Sequence, residues 1–129
     1  MKAVLLDTHA FLWFVFDDPR LSARAASVIE DAGIEKCISV AGLWEIVIKH
    51  QLGRLGLGMD VTAFLEEHVA RRRLEIVPIE LEHLVAYGGL PLLHRDPFDR
   101  ILVAQARALD LPVVSSDPAF AAYGIPVIW

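Results

Sequence analysis

The chain predicts an α/β fold built on a mostly parallel sheet, with its opening strand buried at the centre. Three observations carry that reading. Lys2-Ala3-Val4-Leu5-Leu6-Asp7-Thr8 begins with an apolar run that shows no polar alternation and stops at a carboxylate, as a strand covered on both faces would. Strand-like and helix-like segments alternate after it, which calls for parallel pairing through right-handed crossovers. Aspartates recur where strand or loop turns into helix, and in open α/β sheets that edge is where ligands bind.

Taken in order, the first strand feeds an apolar helical segment, His9 to Phe16, broken by Asp17-Asp18-Pro19-Arg20. Ser22 is placed as the N-cap of a helix reaching Ala32, with Val28 and Ile29 inward and Gly33 as its stop. Glu35 to Ser39 reads as the second strand, and Ser39 caps a helix from Val40 to Leu52 that Gly53 ends. The glycine-spaced loop from Gly53 to Gly58 matches no phosphate-cradling fingerprint. Asp60 opens a helix to about Arg73, and Glu75 to Ile79 is the third strand. A short helix spans Glu80 to Tyr87, followed by a loop from Gly88 to Asp96. Asp96-Pro97-Phe98-Asp99 starts a strong helix through Leu109, with Ile101, Leu102, Ala104, Ala108 and Leu109 on its apolar side. Leu111 to Ser115 is the fourth strand, Asp117-Pro118 opens a helical turn, and Pro126-Val127-Ile128 is the last strand.

A chain of 129 residues is most simply one domain, 1–129, with room for a real core. Hydrophobic residues make up 55%, and mean hydropathy is +0.47, which points to a dense core or to apolar surface kept for a partner. No stretch free of Asp, Glu, Lys and Arg is longer than Pro118 to Trp129, which is too short to cross a membrane. Asp7 leaves no room for a signal peptide, and one cysteine, Cys37, forms no internal disulfide, so a reducing cytoplasm is expected. A net charge of −5 gives no sign of nucleic acid, so phosphate binding would need a local basic patch.

Asp7, Asp96 with Asp99, and Asp117 each stand at a helix start, where aspartate is also a preferred cap and proline a preferred next residue. Glu45 has no such explanation. It lies mid-helix among Leu43, Trp44, Ile46, Val47 and Ile48, and a shielded carboxylate is neutral or paired. Lys49, four residues on, is the structural alternative. A parallel sheet brings these acids to one edge. Carboxylates ~4 Å apart repel by a few kcal/mol per pair at an effective dielectric near 20, which raised pKa values or a bound cation relieves. An all-oxygen set selects a hard ion, Mg²⁺ or Mn²⁺. His9 and His94 lie near this edge in sequence but are read as solvated or capping, not as ligands.

The residues that carry these features also resemble a known family. Leu5-Leu6-Asp7-Thr8-His9-Ala10-Phe11-Leu12-Trp13, Trp44-Glu45-Ile46, the run from Asp96 to Ala106 and Ser115-Ser116-Asp117 are similar, in order, to the PIN-domain toxins of the VapC type. The resemblance spans essentially the whole chain, with residues 54–90 matching in pattern and length only. It implies a PIN-like three-layer α/β/α fold with the first strand central. It implies a Mg²⁺-dependent endoribonuclease that leaves 5′-phosphate and 3′-hydroxyl ends, homodimers, and a cognate VapB-like antitoxin in a heterotetramer or larger assembly. The family's acids fall on Asp7, Glu45, Asp99 and Asp117, with Asp96 sharing or replacing the role of Asp99.

On this reading Asp7 and Asp99 hold the ion, and Glu45 and Asp117 complete its surroundings. Thr8 and Ser116 orient waters or cap helices. Arg95, Arg100 and Lys49 are the candidate RNA contacts, whereas Arg71-Arg72-Arg73 ends a helix and is read as solvated. The aromatic stretch Phe11 to Phe16 has a second face that either the Ser22–Ala32 helix covers or an antitoxin helix fills. A non-catalytic PIN-fold binding module is the alternative. A phospho-acceptor domain ranks lower because no lysine follows Lys49.

Overall fold

The computed structural model describes residues 1–129. Five strands, β1 (Ala3–Leu6), β2 (Glu35–Ser39), β3 (Glu75–Val77), β4 (Val113–Val114) and β5 (Val127–Ile128), form one sheet in the order β3-β2-β1-β4-β5. Every pairing is parallel, and β1 is central as the apolar run requires. Leu5 sits opposite Cys37 on one side and Val113 on the other.

Period-2 alternation divides β1 between two cores. Val4 and Leu6 face a cluster with Phe11, Ile38, Ile46 and Phe64, while Leu5 faces one with Val103, Val113 and Phe120. Both sides are sealed, so the sheet lies between two helical layers. Cys37 is buried here and its thiol is pushed up to about 12, first by desolvation and then by Glu35, which keeps it unreactive.

The helices are α1 (Thr8–Val15), α2 (Ala23–Glu30), α3 (Val40–Gln51), α4 (Val61–Leu65), α5 (Leu81–Gly88), α6 (Pro97–Leu109) and α7 (Pro118–Ala122). Side-chain oxygens of Asp7, Ser22, Ser39, Asp60, Asp96 and Asp117 accept backbone N–H groups at six of their starts, as their sequence positions predict. Two expected bounds change. The helix from Asp60 passes after Leu65 into a π-helical segment, Glu66–Ala70, and ends there rather than at Arg73. The second helix stops at Glu30, and Gly33 instead donates its N–H to Asp31 Oδ1 at 2.8 Å in a side-chain-closed turn. Strands β3, β4 and β5 are shorter than their apolar runs because flanking Pro78, Pro112 and Pro126 lack the ladder N–H.

The aromatic stretch is partly covered. Phe11 and Leu12 are buried, and α2 packs on α1. Trp13 meets Trp129 at 5.8 Å between ring centroids. Between α1, α2 and the start of β3 a cavity of about 770 Å³ stays open, lined by Phe11, Phe14, Ile29, Ile34 and Leu74, with Arg72 at its side. α2 thus covers part of this face and leaves part of it open.

Candidate active site at the carboxyl edge of the sheet

Asp7 leaves β1 at its carboxyl end and caps α1, where Oδ1 accepts the Ala10 N–H at 2.6 Å. Its other oxygen, Oδ2, accepts a short hydrogen bond from Ser115 Oγ, at the end of β4. The same Oγ accepts the Asp117 N–H at 2.9 Å. Ser115 thus ties the first acid to the last across adjacent strands. Ser116, expected from its place beside Asp117 to orient a water or cap a helix, is exposed, and the buried Ser115 holds Asp7. Burial raises the Asp7 pKa, against the Ser115 and Ala10 hydrogen bonds, and the Asp117 charge adds to the rise.

Asp99 stands in the first turn of α6, three residues after the Asp96 cap. Its carboxyl is pushed up to about 6, chiefly by desolvation, with Asp96 and Asp117 adding repulsion and the His94 hydrogen bond opposing it. Asp117 caps α7, its Oδ1 accepting the Ala119 N–H at 2.9 Å. His94 Nε2 lies 2.9 Å from Asp99 Oδ2. One potential ligand atom from each of His94, Asp99 and Asp117 falls within 4.8 Å of the others.

That cluster differs from the four-acid set of the sequence reading. Asp99 and Asp117 come together, Asp7 joins them through Ser115, and His94, which the sequence reading set aside, takes a place among them. Glu45 is 6% exposed in α3, as its apolar neighbours predict, and Lys49 Nζ lies 3.1 Å from its Oε2. The pairing alternative is therefore realised for Glu45. Asp96 serves as a cap, its Oδ1 accepting the Phe98 N–H at 2.9 Å. Thr8 is buried, and its Oγ1 has no hydrogen-bond partner. It crowds α3 closely enough that a Cβ on Gly42 would meet it at 3.0 Å.

Among the cations, Arg95 is exposed beside the cluster and Lys49 is partly exposed. Arg100 corrects the sequence reading. It is 7% exposed, its guanidinium lies 4.7 Å from the centre of the Tyr87 ring, and Nη2 donates to the Leu90 carbonyl. The helix turns it inward against α5, so it clamps the loop before α6 instead of facing solvent.

Fold and site together define a class of parallel α/β protein whose carboxyl edge gathers acids and an imidazole with their potential ligand atoms within 4.8 Å of one another. Comparisons narrow that class. The PIN domain family matches residues 4–126. Ribonuclease VapC22 of Mycobacterium tuberculosis (strain ATCC 25618 / H37Rv) is 32% identical over 110 residues, covering 82% of this chain and 80% of that one. Among solved structures, VapBC2 from Rickettsia felis bound to a DNA fragment from their promoter superposes with a TM-score of 0.72 at 15% identity, covering 98% of this chain and 97% of that one. FitAcB from Neisseria gonorrhoeae gives 0.69 at 19% identity, with 96% and 95% covered. The chain belongs to the PIN-domain family, among its VapC-type members.

Proposed function

We propose that this chain is a divalent-metal-dependent endoribonuclease and the toxin of a toxin–antitoxin pair. The observation that carries it is the meeting of Asp99, Asp117 and His94 beside the Ser115-anchored Asp7, in a chain 32% identical to a ribonuclease. The residues fit a cation. Asp99 is held near 6 by burial and by like charges, which a positive ion would relieve, and the buried Thr8 Oγ1 beside Asp7 is without a partner. Asp7, Asp99 and Asp117 would hold Mg²⁺ or Mn²⁺, with Glu45 reached on release from Lys49.

A bound ion supplies Lewis acidity at the phosphoryl oxygen and a water of lowered pKa. The chain's own residues prepare that site. Ser115 and the Ala10 N–H fix the Asp7 carboxylate, the α7 start fixes Asp117, and His94 orients Asp99. Lys49 and the exposed Arg95 offer positive charge to the RNA backbone at this edge. Asp7→Asn and Asp99→Asn should abolish metal-dependent RNA cleavage while melting cooperatively. Retained cleavage in both would overturn the proposal. RNA affinity should fall as salt rises, and a salt-insensitive affinity would rule out Lys49 and Arg95 as phosphate contacts.

Two surfaces suit protein partners. The structural neighbours include toxin–antitoxin complexes, and the cavity beside Phe11 and Phe14 offers an apolar floor for an antitoxin segment. The outer face of α5 exposes Leu81, Leu84 and Val85, next to a 290 Å³ pocket lined by Trp44, Ile79 and Phe98. A second copy of the chain is the proposed cover for that face. Co-purification with the protein encoded alongside, and light scattering of the isolated chain, test the two in turn. A lone chain in the first experiment, or a monomer at high concentration in the second, would refute the corresponding assignment.

A further inference from the structure

We propose that His94 is itself a metal ligand, its Nε2 joining Asp99 and Asp117 on one ion, and that this nitrogen makes the site prefer Mn²⁺ to Mg²⁺. The inference rests on the metal-dependent reading above and goes beyond its carboxylates.

The geometry of the three groups supports it. Ligands ~2.1 Å from an octahedral ion lie about 3 Å apart when adjacent. His94 Nε2 and Asp99 Oδ2 are 2.9 Å apart, and the Asp117 carboxylate completes a set whose atoms all lie within 4.8 Å. The hydrogen bond between imidazole and carboxylate holds both donors at a spacing an ion can use without rebuilding the loop.

The loop itself is held. Tyr123 is 5% exposed, and its phenol accepts the N–H groups of Leu93 at 3.2 Å and His94 at 3.1 Å while donating to the Pro91 carbonyl at 2.8 Å. One oxygen thus fixes the His94 backbone to the end of α7, the helix whose start carries Asp117. His94 and Asp117 are positioned through the same short element, and Asp99 lies one turn into the helix that follows His94. A histidine serving only as solvated loop surface would need no such anchoring.

The donor atom then sets the metal. Carboxylates alone suit Mg²⁺ and Mn²⁺, whereas a neutral imidazole favours first-row transition ions over Mg²⁺. Ligation takes the Nε2 lone pair, so the hydrogen now shared with Asp99 leaves or moves to Nδ1 as the ion binds.

Mn²⁺ is the probe, because its electron spin reports directly bound nitrogen. Pulsed EPR of the wild-type chain with Mn²⁺ should show coupling to one directly bound ¹⁴N. His94→Gln, whose amide can keep the bond to Asp99, should lose that coupling. Calorimetry should give wild type at least ~10-fold tighter binding of Mn²⁺ than of Mg²⁺. His94→Gln should weaken Mn²⁺ binding ~10-fold and Mg²⁺ binding less than ~2-fold. Absence of ¹⁴N coupling in the wild type, or equal weakening for both ions, would overturn the assignment. Asp99→Asn separates the two layers of argument. If it leaves Mn²⁺ binding unchanged, the metal site itself is refuted. If it abolishes Mn²⁺ binding while wild type shows no ¹⁴N signal, only the role of His94 falls. The wild-type spectrum needs no variant to fold.

Discussion

Leu6 and Asp7 are consecutive and almost equally sealed from water, at 1% and 4% exposure, yet they belong to regions built on opposite terms. Leu6 packs into an apolar cluster with Val4, Phe11, Ile38 and Ile46. Around Asp7 the groups are polar, several acids crowd together, and Asp7 and Asp99 are held with raised pKa values. One end of a single strand stabilises the fold, and the next residue begins a region that the fold must hold in place. The lesson is that burial alone does not distinguish structural from functional positions here; what the buried group is paired with does.

Breaking that contrast from the edge should give the largest effect. Asp99→Asn is expected to lower metal-dependent cleavage roughly 10³-fold, ~4 kcal/mol of transition-state stabilisation, with cooperative melting retained. Initial rates on a labelled RNA, set beside a thermal melt, measure both halves. The core counterpart, Leu5→Ala, should cost about 3 kcal/mol of stability by urea titration and leave the rate of the folded fraction near wild type. If Leu5→Ala instead abolished turnover in protein shown to be folded, strand and edge could not be treated as separate regions.

The same Asp99→Asn change sharpens the comparison in the other direction. The folded pKa of Asp99, about 6, lies above its ordinary value of 3.8, so the folded state holds this proton more tightly than the unfolded chain does. The stability from that proton is complete below about pH 4 and is lost as pH rises through about 6. In EDTA at pH 7.5, Asp99→Asn should therefore be more stable than wild type by ~1–2 kcal/mol, and the difference should vanish near pH 4. Melts across that range that show the variant less stable throughout would contradict a destabilising carboxylate at this edge. The smallest effect belongs to Lys49→Ala. It strands the Glu45 carboxylate, but Lys49 is 38% exposed and water screens the pair, so a loss of about 1 kcal/mol is expected in a chemical melt.

The sheet was legible because hydrophobic periodicity and helix caps are local. Val4-Leu5-Leu6 announces a two-faced strand, and Asp96-Pro97 announces a helix start. The π-helical turn after Leu65 was not legible, since Glu66 to Ala70 would suit an ordinary helix and only packing selects the wider turn. The convergence of Asp7, Asp99 and Asp117 could be read in advance because a parallel sheet sends every strand end to one edge. Ser115 and His94 could not. Two adjacent serines offer no local signal for which faces inward. His94 reads as a loop residue until Tyr123, far along the chain, is seen to hold its backbone. Arg100 failed for a related reason: next to Asp99 in sequence, it points about a quarter-turn away around the helix and meets Tyr87.

Asp7, Asp96 and Asp117 each hold a helix's opening N–H groups as well as standing at or beside the acidic cluster. Truncating one to alanine therefore unseats a secondary-structure start along with a charge, and the resulting loss of turnover reports two events at once. An amide of the same shape keeps the capping oxygen and deletes only the ionisable proton. The choice of replacement residue, more than the choice of position, decides whether mutagenesis of this edge speaks about chemistry or about folding.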